Sequence, residues 1–306
     1  MQVERIPLPT NAAGQRDEAA WHRLRAEDYT ASEMGALFGV GQRSTALQVY
    51  VRKARLLPDK GPSTYSDRGH VLEPVVADRL TRRKWPGAVI RPADVYLRGR
   101  DPDDPHLRVG ATKDYDLELR GERLVLEIKT VAPRWFRQWW RGGGRWAPRP
   151  PDDVVMQVRT QTMLEDADAG MIAVLVCDDA ADILTFRVDR RPKIEAEIRR
   201  RVSEFWAAYE AGRLPRLEFG REAAALDALR RQLRTPTPVL ADQRLAALAT
   251  QHQAAARARA EADRQLARLE DEIRVLMGDN SVVLLPDARR VTVAPGAKRR
   301  VKIAAS

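Results

Sequence analysis

Apolar residues recur at helical spacing through the first part of the chain, after a polar opening. Residues 1–16 contain two prolines and predict a flexible lead-in. Beyond them, apolar positions three and four residues apart predict amphipathic helices. These helices cover residues 17–29, 30–39, 44–57 and, after a turn-rich loop at 61–69, residues 70–85. The last of them carries Glu73 near its predicted start.

From residue 88 the pattern changes to an alternation of polar and apolar residues, which is typical of strands. It covers residues 88–99 and 107–131, with a hairpin turn at Arg120-Gly121, because glycine tolerates positive φ. The later elements are a loop at 132–151, a helix at 152–168, strands at 170–179 and 182–190, and a helix at 193–212. We therefore predict a mixed α/β (α+β) fold, with a mixed central sheet flanked by helices.

The C-terminal part differs in composition from the rest. Residues 234–240 predict a linker, and residues 240–277 are rich in Ala, Arg, Glu and Leu. Apolar residues three and four apart form a narrow seam there, which predicts a helix or helical hairpin that packs on itself or on a partner. Short strand-like runs follow. The predicted domains are the lead-in at 1–16, a main domain at 17–220 and a helical extension with a short β tail at 221–306.

Composition narrows the class of protein. A chain of 306 residues with 44% hydrophobic content can bury a large core, and a formal charge of +10 favours a polyanionic partner such as DNA. The single cysteine, Cys177, provides no disulfide and no cysteine-ligated metal cluster. The sequence has neither an apolar run long enough to span a membrane nor a signal-peptide pattern, so we expect a cytoplasmic protein without a membrane partner.

The candidate chemistry lies on the predicted hairpin. Side chains two residues apart on a strand share a face, so Glu127 and Lys129 project together, as do Asp114 and Asp116 on the preceding strand. Carboxylates beside an amine suit phosphodiester hydrolysis with Mg²⁺, which takes carboxylate oxygens and keeps a water as nucleophile. The lysine could position or deprotonate that water, or neutralise phosphorane charge, with burial beside a cation lowering its pKa. By spacing alone, a structural ion pair is the stronger reading.

Five motifs in order resemble the lambda exonuclease and YqaJ group of viral-type recombination exonucleases, within the PD-(D/E)XK nuclease superfamily. They are "WHRLRAEDYTASEMGALFG", "RGHVLEP", "VGATKDYDLE", "LEIKT" and "MQVRTQTML". Together they span roughly residues 20–210 and are more specific than any one alone. The resemblance implies a PD-(D/E)XK restriction-endonuclease-like core in the main domain.

The resemblance also implies roles for individual residues. Glu73, Asp114 and Glu127 would ligate Mg²⁺, for which Mn²⁺ would substitute, with the Ile128 carbonyl as an extra ligand. Lys129 would serve the attacking water, and Gln157 would hold the lysine or the water. The Pro-Asp-Gly expected around Asp114 is Lys-Asp-Tyr here, which leaves Asp116 as the alternative aspartate. The second glutamine of the helix motif is displaced to Gln161, one turn from Gln157.

Several residues are candidates for DNA binding. Arg25 and Ser32 match positions where the family contacts a terminal 5′ phosphate, and His70 precedes Glu73. The Trp- and Arg-rich loop favours stacking on bases and binding of phosphates, although a flap packed on the body is the alternative. Its candidate DNA-binding residues are Arg134, Trp135, Arg137, Trp139, Arg141 and Arg145.

The implied function is Mg²⁺-dependent exonucleolytic hydrolysis of double-stranded DNA, 5′ to 3′ from an end, which generates single strands for phage or prophage recombination. Related exonucleases are oligomers, so we expect a homo-oligomer and a single-strand annealing protein as a partner. Two alternatives stay open: another PD-(D/E)XK DNA endonuclease, and a catalytically silent DNA-binding recombination scaffold.

Overall fold

A computed structural model describes residues 1–12, 16–57, 64–140, 147–177, 182–218, 220–232, 243–278, 280–293 and 301–305. They belong to two units, Met1–Arg234 and Thr235–Ser306. Among the described residues, no helix has the length and apolar character needed to cross a membrane.

The first unit alternates strands and helices. Its strands are β1 (Gln2–Pro7), β2 (Tyr29–Thr30), β3 (Val89–Pro92), β4 (Val95–Asp101), β5 (Asp104–Thr112), β6 (Tyr115–Leu119), β7 (Glu122–Val131), β8 (Ala169–Val176) and β9 (Ile183–Asp189). Its helices are α1 (Glu18–Ala26), α2 (Met34–Leu37), α3 (Ala46–Lys53), α4 (Thr64–Arg79), α5 (Pro133–Trp139), α6 (Asp152–Glu165), α7 (Pro192–Glu210) and α8 (Ala223–Gln232). A 3₁₀ turn at Ala31–Glu33 precedes α2, and a π-helical turn at Leu80–Lys84 extends α4.

Two sheets organise this unit. The larger has the order β3-β6-β7-β8-β9, and β7 runs parallel to β8 while the other pairs are antiparallel. The smaller has the order β1-β4-β5-β2, with β2 parallel to β5. The predicted mixed α/β fold with a mixed central sheet is therefore confirmed. The predicted hairpin between β6 and β7 is present, and both Arg120 and Gly121 have positive φ at its turn.

The larger sheet is covered by a helix on each face. Leu126 and Ile128 of β7 pack in a core with Val76 of α4, whereas Ile172 and Val174 of β8 pack in another core that includes Val158 of α6. Because side chains alternate along a strand, Glu127 and Lys129 lie on the face of β7 opposite Ile128. This alternation directs both side chains toward α6.

Gly170 lets α6 approach β8 closely. A Cβ atom at this position would lie 2.1 Å from Cγ1 of Val158 and 2.9 Å from Oγ1 of Thr162, both on α6. Any larger residue would therefore push α6 away from the sheet. The close approach sets how far the side chains of α6 reach over β7.

The second unit consists of a long helix and a small sheet. Helix α9 (Gln243–Met277) is followed by β10 (Val282–Leu284), β11 (Arg289–Val293) and β12 (Val301–Ala305), which pair in that order as an antiparallel sheet. The predicted helical extension with a β tail is thus observed. The helix is continuous rather than a hairpin within its described range.

Four segments differ from the sequence-based expectations. Residues Gln2–Pro7 of the predicted lead-in form β1, because their backbone pairs with β4 over six residues. Helix α4 begins at Thr64, inside the loop predicted at 61–69, so Glu73 lies well within the helix. Part of the loop predicted at 132–151 is α5, which Pro133 begins at its first turn.

The fourth difference concerns the end of the main domain, predicted at residue 220. Residues just beyond it contact the first unit: Thr45 Oγ1 donates to Glu222 Oε1 over 2.5 Å, and Arg221 Nη2 donates to the Gly41 carbonyl over 2.6 Å. Helix α8 follows and packs on α3. These contacts place the division between the units after Arg234.

Candidate active site

Glu127 is the centre of a hydrogen-bonded group on the buried face of β7. Its side chain is almost fully buried, and each carboxylate oxygen has a partner. Lys129 Nζ lies 2.5 Å from Oε1, and Gln157 Nε2 donates to the same oxygen over 2.6 Å. Gln161 Nε2 donates to Oε2 over 2.6 Å. The structure therefore brings Glu127, Lys129 and Gln157 together.

Helix α6 supplies both glutamines. Residues four apart lie on the same face of a helix, so Gln157 and Gln161 both reach β7. Gln161 is fully buried and also donates to the Thr112 carbonyl over 2.9 Å, which ties α6 to the end of β5. Gln157 Oε1 accepts from Lys129 over 3.3 Å, which holds the ammonium group between the glutamine and the carboxylate.

Asp114, in the connection between β5 and β6, is the aspartate beside Glu127. Its Oδ2 accepts a hydrogen bond from the Ile128 backbone N–H over 2.8 Å. Burial raises the pKa of Asp114 well above its usual value, and repulsion from Glu127 raises it further, while Lys129 opposes both effects. Ile128 thus contacts the group through its amide; a role for its carbonyl stays a prediction.

Asp116 has different partners. Lys113 Nζ contacts the Asp116 carboxylate and lies 2.5 Å from Glu165 Oε2. The Lys113 side chain is fully buried, so it needs these two carboxylates to compensate its charge. Asp116 is thereby engaged in a structural ion-pair network, and the geometry favours Asp114 over Asp116 as the aspartate of the site.

Glu73 comes from α4, which packs on the face of the larger sheet opposite α6. Burial raises the pKa of the Glu73 carboxyl; His70 lowers it, Glu127 raises it, and Lys129 lowers it. These influences place Glu73 within electrostatic reach of the Glu127 and Lys129 pair. Its position on α4 is fixed by the packing of Val76 and Leu80 against the sheet.

The charge state of Lys129 differs from the expectation. Burial lowers the pKa of this lysine, but attraction to Glu127 and Asp114 outweighs burial, so the pKa is raised. With the residues of the chain alone, Lys129 is therefore a protonated hydrogen-bond donor.

The donor set suits a hard divalent cation. Carboxylate oxygens are the ligands that Mg²⁺ prefers, and Glu73, Asp114 and Glu127 offer them. Burial and repulsion among these groups raise the pKa of Glu73 and Asp114, and a cation would relieve that repulsion. Within the described residues, however, no three His, Cys, Asp or Glu side chains already stand as a ligand set, and both oxygens of Glu127 accept hydrogen bonds.

A second cluster lies at the start of the domain, beside the end of β5. The guanidinium carbons of Arg16 and Arg25 lie 4.6 and 4.2 Å from the centre of the Trp21 ring. Arg25 Nη2 donates to Ser32 Oγ over 2.8 Å. Trp21 Nε1 donates to Thr112 Oγ1 over 3.2 Å, so the cluster joins the residue whose carbonyl contacts Gln161.

The remaining candidates lie at α4 and α5. His70 Nε2 lies 3.5 Å from Arg16 Nη2, which connects α4 to the second cluster. Phe136 of α5 stacks with Trp140, directly after the helix, and Trp140 belongs to the core, as the packing alternative expected. The exposed side of α5 carries Arg134, Trp135, Arg137 and Trp139, whereas Arg141 and Arg145 lie outside the described residues.

Three residues near the site, Arg16, Trp21 and Arg43, were missed by the sequence-based prediction. Trp21 begins the first quoted motif, and the arginines around it gave a signal that could have identified it. Arg43 lowers the pKa of Lys129 through its positive charge, which places it near the lysine. Nothing in its turn sequence distinguishes it from other surface arginines.

Comparisons with known proteins give one family match, over the part of the chain that carries the five motifs. Residues 20–168 match the family model described as the YqaJ-like viral recombinase domain. A search among curated proteins found no match.

Solved structures similar to this chain include an alkaline exonuclease (LHK-Exo) from Laribacter hongkongensis, with 18% identity, 71% of this chain and 100% of that chain covered, and a TM-score of 0.47. They also include a phage-related exonuclease from Haemophilus somnus 129PT, with 13% identity, coverage of 62% and 96%, and a TM-score of 0.41.

Proposed function

Residues 20–168 match the family model of the YqaJ-like viral recombinase domain, and we propose that this part of the chain hydrolyses double-stranded DNA from an end with the help of Mg²⁺. The main support for this proposal is the arrangement around the Glu127 carboxylate. Lys129, Gln157 and Gln161 donate hydrogen bonds to it, and the buried Asp114 lies beside it. A structural ion pair on a surface strand would require neither burial nor two glutamines from a separate helix.

The carboxylates and the lysine would have different roles in the hydrolysis. Asp114, Glu127 and Glu73 would hold Mg²⁺, which when bound supplies a water of lowered pKa close to the scissile phosphate. Glu127 is oriented in advance by the two glutamines, so little ordering remains when substrate arrives. The Lys129 ammonium, which already donates to Glu127 and Gln157, is placed to hold the attacking water and to compensate charge building on the phosphorane.

The cluster around Trp21 supports recognition of a DNA end. Arg25 and Ser32 form a pair of donors that suits a terminal phosphate. Arg16, whose guanidinium also contacts the Trp21 ring, adds a second positive charge to the cluster. A 5′ phosphate held there would orient the strand for 5′ to 3′ degradation. The product single strands would serve phage or prophage recombination in the host cytoplasm, together with an annealing protein.

A cleavage assay tests this proposal. Linear duplex DNA labelled at its 5′ or 3′ ends, and closed circular DNA of the same sequence, are incubated with the protein in Mg²⁺, in Mn²⁺ or in EDTA. We expect nucleotides to be released from the 5′-labelled end first, circles to stay intact, and EDTA to abolish release. Cleavage of closed circles would indicate an endonuclease instead, and binding without hydrolysis would indicate a scaffold.

Substitution of the lysine assigns the activity to this site. Lys129→Ala should lower the rate by a factor of about 100 or more, because the ammonium acts where charge develops. Lys193→Ala is the matched control, since Lys193 is exposed on α7. If both variants were equally active, and circular dichroism confirmed that both are folded, the site around Lys129 would not be responsible for the hydrolysis.

A further inference from the structure

A groove of about 440 Å³ runs along β9, the outer strand of the larger sheet. One wall consists of the β9 residues from Thr185 to Asp189, and the other is the side of α6 that carries Val155 and Arg159. Arg191, the residue before α7, also lines the groove. This volume lies in the range of small-molecule sites, which is about 300 to 1,000 Å³.

The groove is separate from the candidate active site. Arg159 follows Gln157 by two positions on α6, and two positions turn a helix by about 200°, so the two side chains lie on different sides of the helix. Strand β8 also separates β9 from β7, which sets these two strands about 10 Å apart. A ligand in the groove therefore does not compete for Glu127.

Arg159 is the residue of the groove whose side chain lacks a partner. Its Nε is shielded from solvent and has no hydrogen-bond partner among the described residues. Burial lowers the pKa of Arg159, and repulsion from Arg191 lowers it further, while Asp152 and Asp189 oppose both effects. A buried donor without an acceptor costs free energy, and arginine does not lose its proton to avoid that cost. An anion between the two guanidiniums would accept from Arg159 and reduce the repulsion.

The carboxylates that act on Arg159 are already engaged by other arginines. Arg187 Nε donates to Asp189 Oδ1 over 2.8 Å. Arg149 Nη2 lies 3.5 Å from Asp152 Oδ2. The acidic neighbours therefore do not neutralise the guanidinium of Arg159.

Positive charge in the groove lies beside an apolar wall. Neither Arg159 nor Arg191 forms an ion pair within the parts of the chain that the structure describes. The N-terminal end of α7, directly after Arg191, adds the partial positive charge of a helix of 19 residues. Pro150, Val155 and Phe186 form the apolar part of the lining. This combination suits a nucleotide unit, which joins a phosphate to a base with flat apolar faces.

We propose that this groove binds a phosphate group of a nucleic acid strand or of a free nucleotide, with Arg159 and Arg191 as the donors. Guanidinium groups match phosphate oxygens in pairs, which favours phosphate over a single-point anion. Pro150, Val155 and Phe186 would contact the sugar or base of the same unit. The site goes beyond the proposed hydrolysis, because it binds phosphate without cleaving it. It depends on that function only for one source of its ligand, the nucleotide that hydrolysis would release.

Binding to the full-length protein in EDTA tests this site without hydrolysis. All proteins carry Arg25→Ala, which removes the phosphate contact proposed at the cluster around Trp21. Labelled oligothymidylate, followed by fluorescence anisotropy, reports on the strand. Thymidine 5′-monophosphate, followed by calorimetry with thymidine as the control lacking phosphate, reports on the free nucleotide.

The test variant is Arg159→Gln combined with Arg191→Gln. It should weaken binding of at least one of the two phosphate ligands by about 10-fold or more, because charge-assisted hydrogen bonds are lost. Arg213→Gln combined with Arg216→Gln is the matched control, since it removes two exposed arginines beyond the other end of α7. The control should change both affinities by less than about 2-fold, because solvent screens charges at that distance.

The two ligands distinguish the sources of the phosphate. A loss confined to oligothymidylate assigns the groove to the nucleic acid strand, and a loss that includes the mononucleotide assigns it to the free nucleotide as well. Equal affinities of the test and control variants for both ligands would overturn the site. That result would leave the proposed hydrolysis standing, because no arm of the experiment measures cleavage.

Thermal unfolding separates a binding role of Arg159 from a structural one. Arg159→Gln alone should not lower the unfolding midpoint, since it removes a buried charge without a partner. Sodium phosphate, compared with sodium chloride at equal ionic strength, should raise the midpoint of the unmodified chain more than that of the test variant. A lower midpoint for Arg159→Gln, together with equal responses to phosphate, would assign Arg159 a structural role and overturn the proposal.

Discussion

At the scale of single residues, Glu127 is held in place before any ligand arrives. Both of its oxygens already accept hydrogen bonds, and the nearest positive charge is Lys129 on the same strand. A carboxylate whose oxygens already accept hydrogen bonds from the protein has fewer free lone-pair directions from which it can bind a cation. The glutamines therefore select the orientation in which Glu127 could bind a metal, and their loss should affect geometry as well as stability.

Gln161 and Gln157 should respond differently to replacement by alanine. Gln161→Ala leaves Glu127 Oε2 and the Thr112 carbonyl without their buried donor, so it should lower the free energy of unfolding by about 1 to 3 kcal/mol. Gln157→Ala should cost less, because Lys129 still contacts the same Glu127 oxygen. Urea unfolding measures both, with Gln138→Ala, exposed on α5, as the control. A cost for Gln157→Ala equal to that for Gln161→Ala would contradict this reading.

Periodicity predicted the local part of this residue group, and only the resemblance of the motifs connected its distant residues. The period of a strand places Glu127 beside Lys129, and the period of a helix places Gln157 beside Gln161. The choice between Asp114 and Asp116 depends on Lys113, whose buried ammonium recruits Asp116 and also Glu165, 52 positions later. No spacing rule connects residues that meet only after the sheet and α6 have packed together.

At the scale of elements, the site depends on how closely α6 packs on β8. Gly170 makes this distance short, and the glutamines reach Glu127 only from there. The same packing explains errors in the predicted elements. Helix α5 was predicted as a loop because the prolines, glycines and arginines of residues 132–151 obscure a short helix. Phe136 of this helix, and Trp140 directly after it, are stabilised by the core. Strand β1 likewise depends on pairing with β4, which is distant in sequence.

Gly170→Ala should therefore destabilise the protein and reduce its activity together. The added methyl would meet Val158, forcing a shift of α6 that we expect to cost about 1 to 3 kcal/mol. Gly69→Ala is the contrasting variant, because a Cβ there would meet only Glu73 Oε1 at 3.8 Å and Thr130 Oγ1 at 3.9 Å, which are ordinary contacts, and alanine favours a helix. Thermal unfolding compares the two. If Gly170→Ala proved as stable as the unmodified protein, α6 would not be set by this contact.

At the scale of the whole molecule, the two units differ in how far their features can be predicted from local sequence. The candidate site of the first unit is formed by contacts between segments that are distant in sequence, whereas the apolar seam of the second unit lies within the sequence of one helix. This is why the C-terminal helix and its β tail were predicted well from pattern alone. The formal charge of +10 belongs to the chain as a whole, and its consequence is an affinity for polyanions that falls with salt.

Salt dependence should thus separate contacts with phosphate from the general charge of the molecule. In EDTA, where we expect binding without cleavage, affinity for duplex DNA should weaken roughly 10- to 100-fold between about 50 and about 200 mM salt, as counterions released by a few phosphate contacts predict. Arg25→Ala should reduce the slope of log Kd against log salt by about 1, because one phosphate contact is lost. Arg200→Ala removes the same formal charge from α7, where Arg200 pairs with Glu197 and Glu204, and should leave the slope unchanged. Equal slopes for both variants would mean that net charge alone, and not the cluster around Trp21, governs binding of the DNA end.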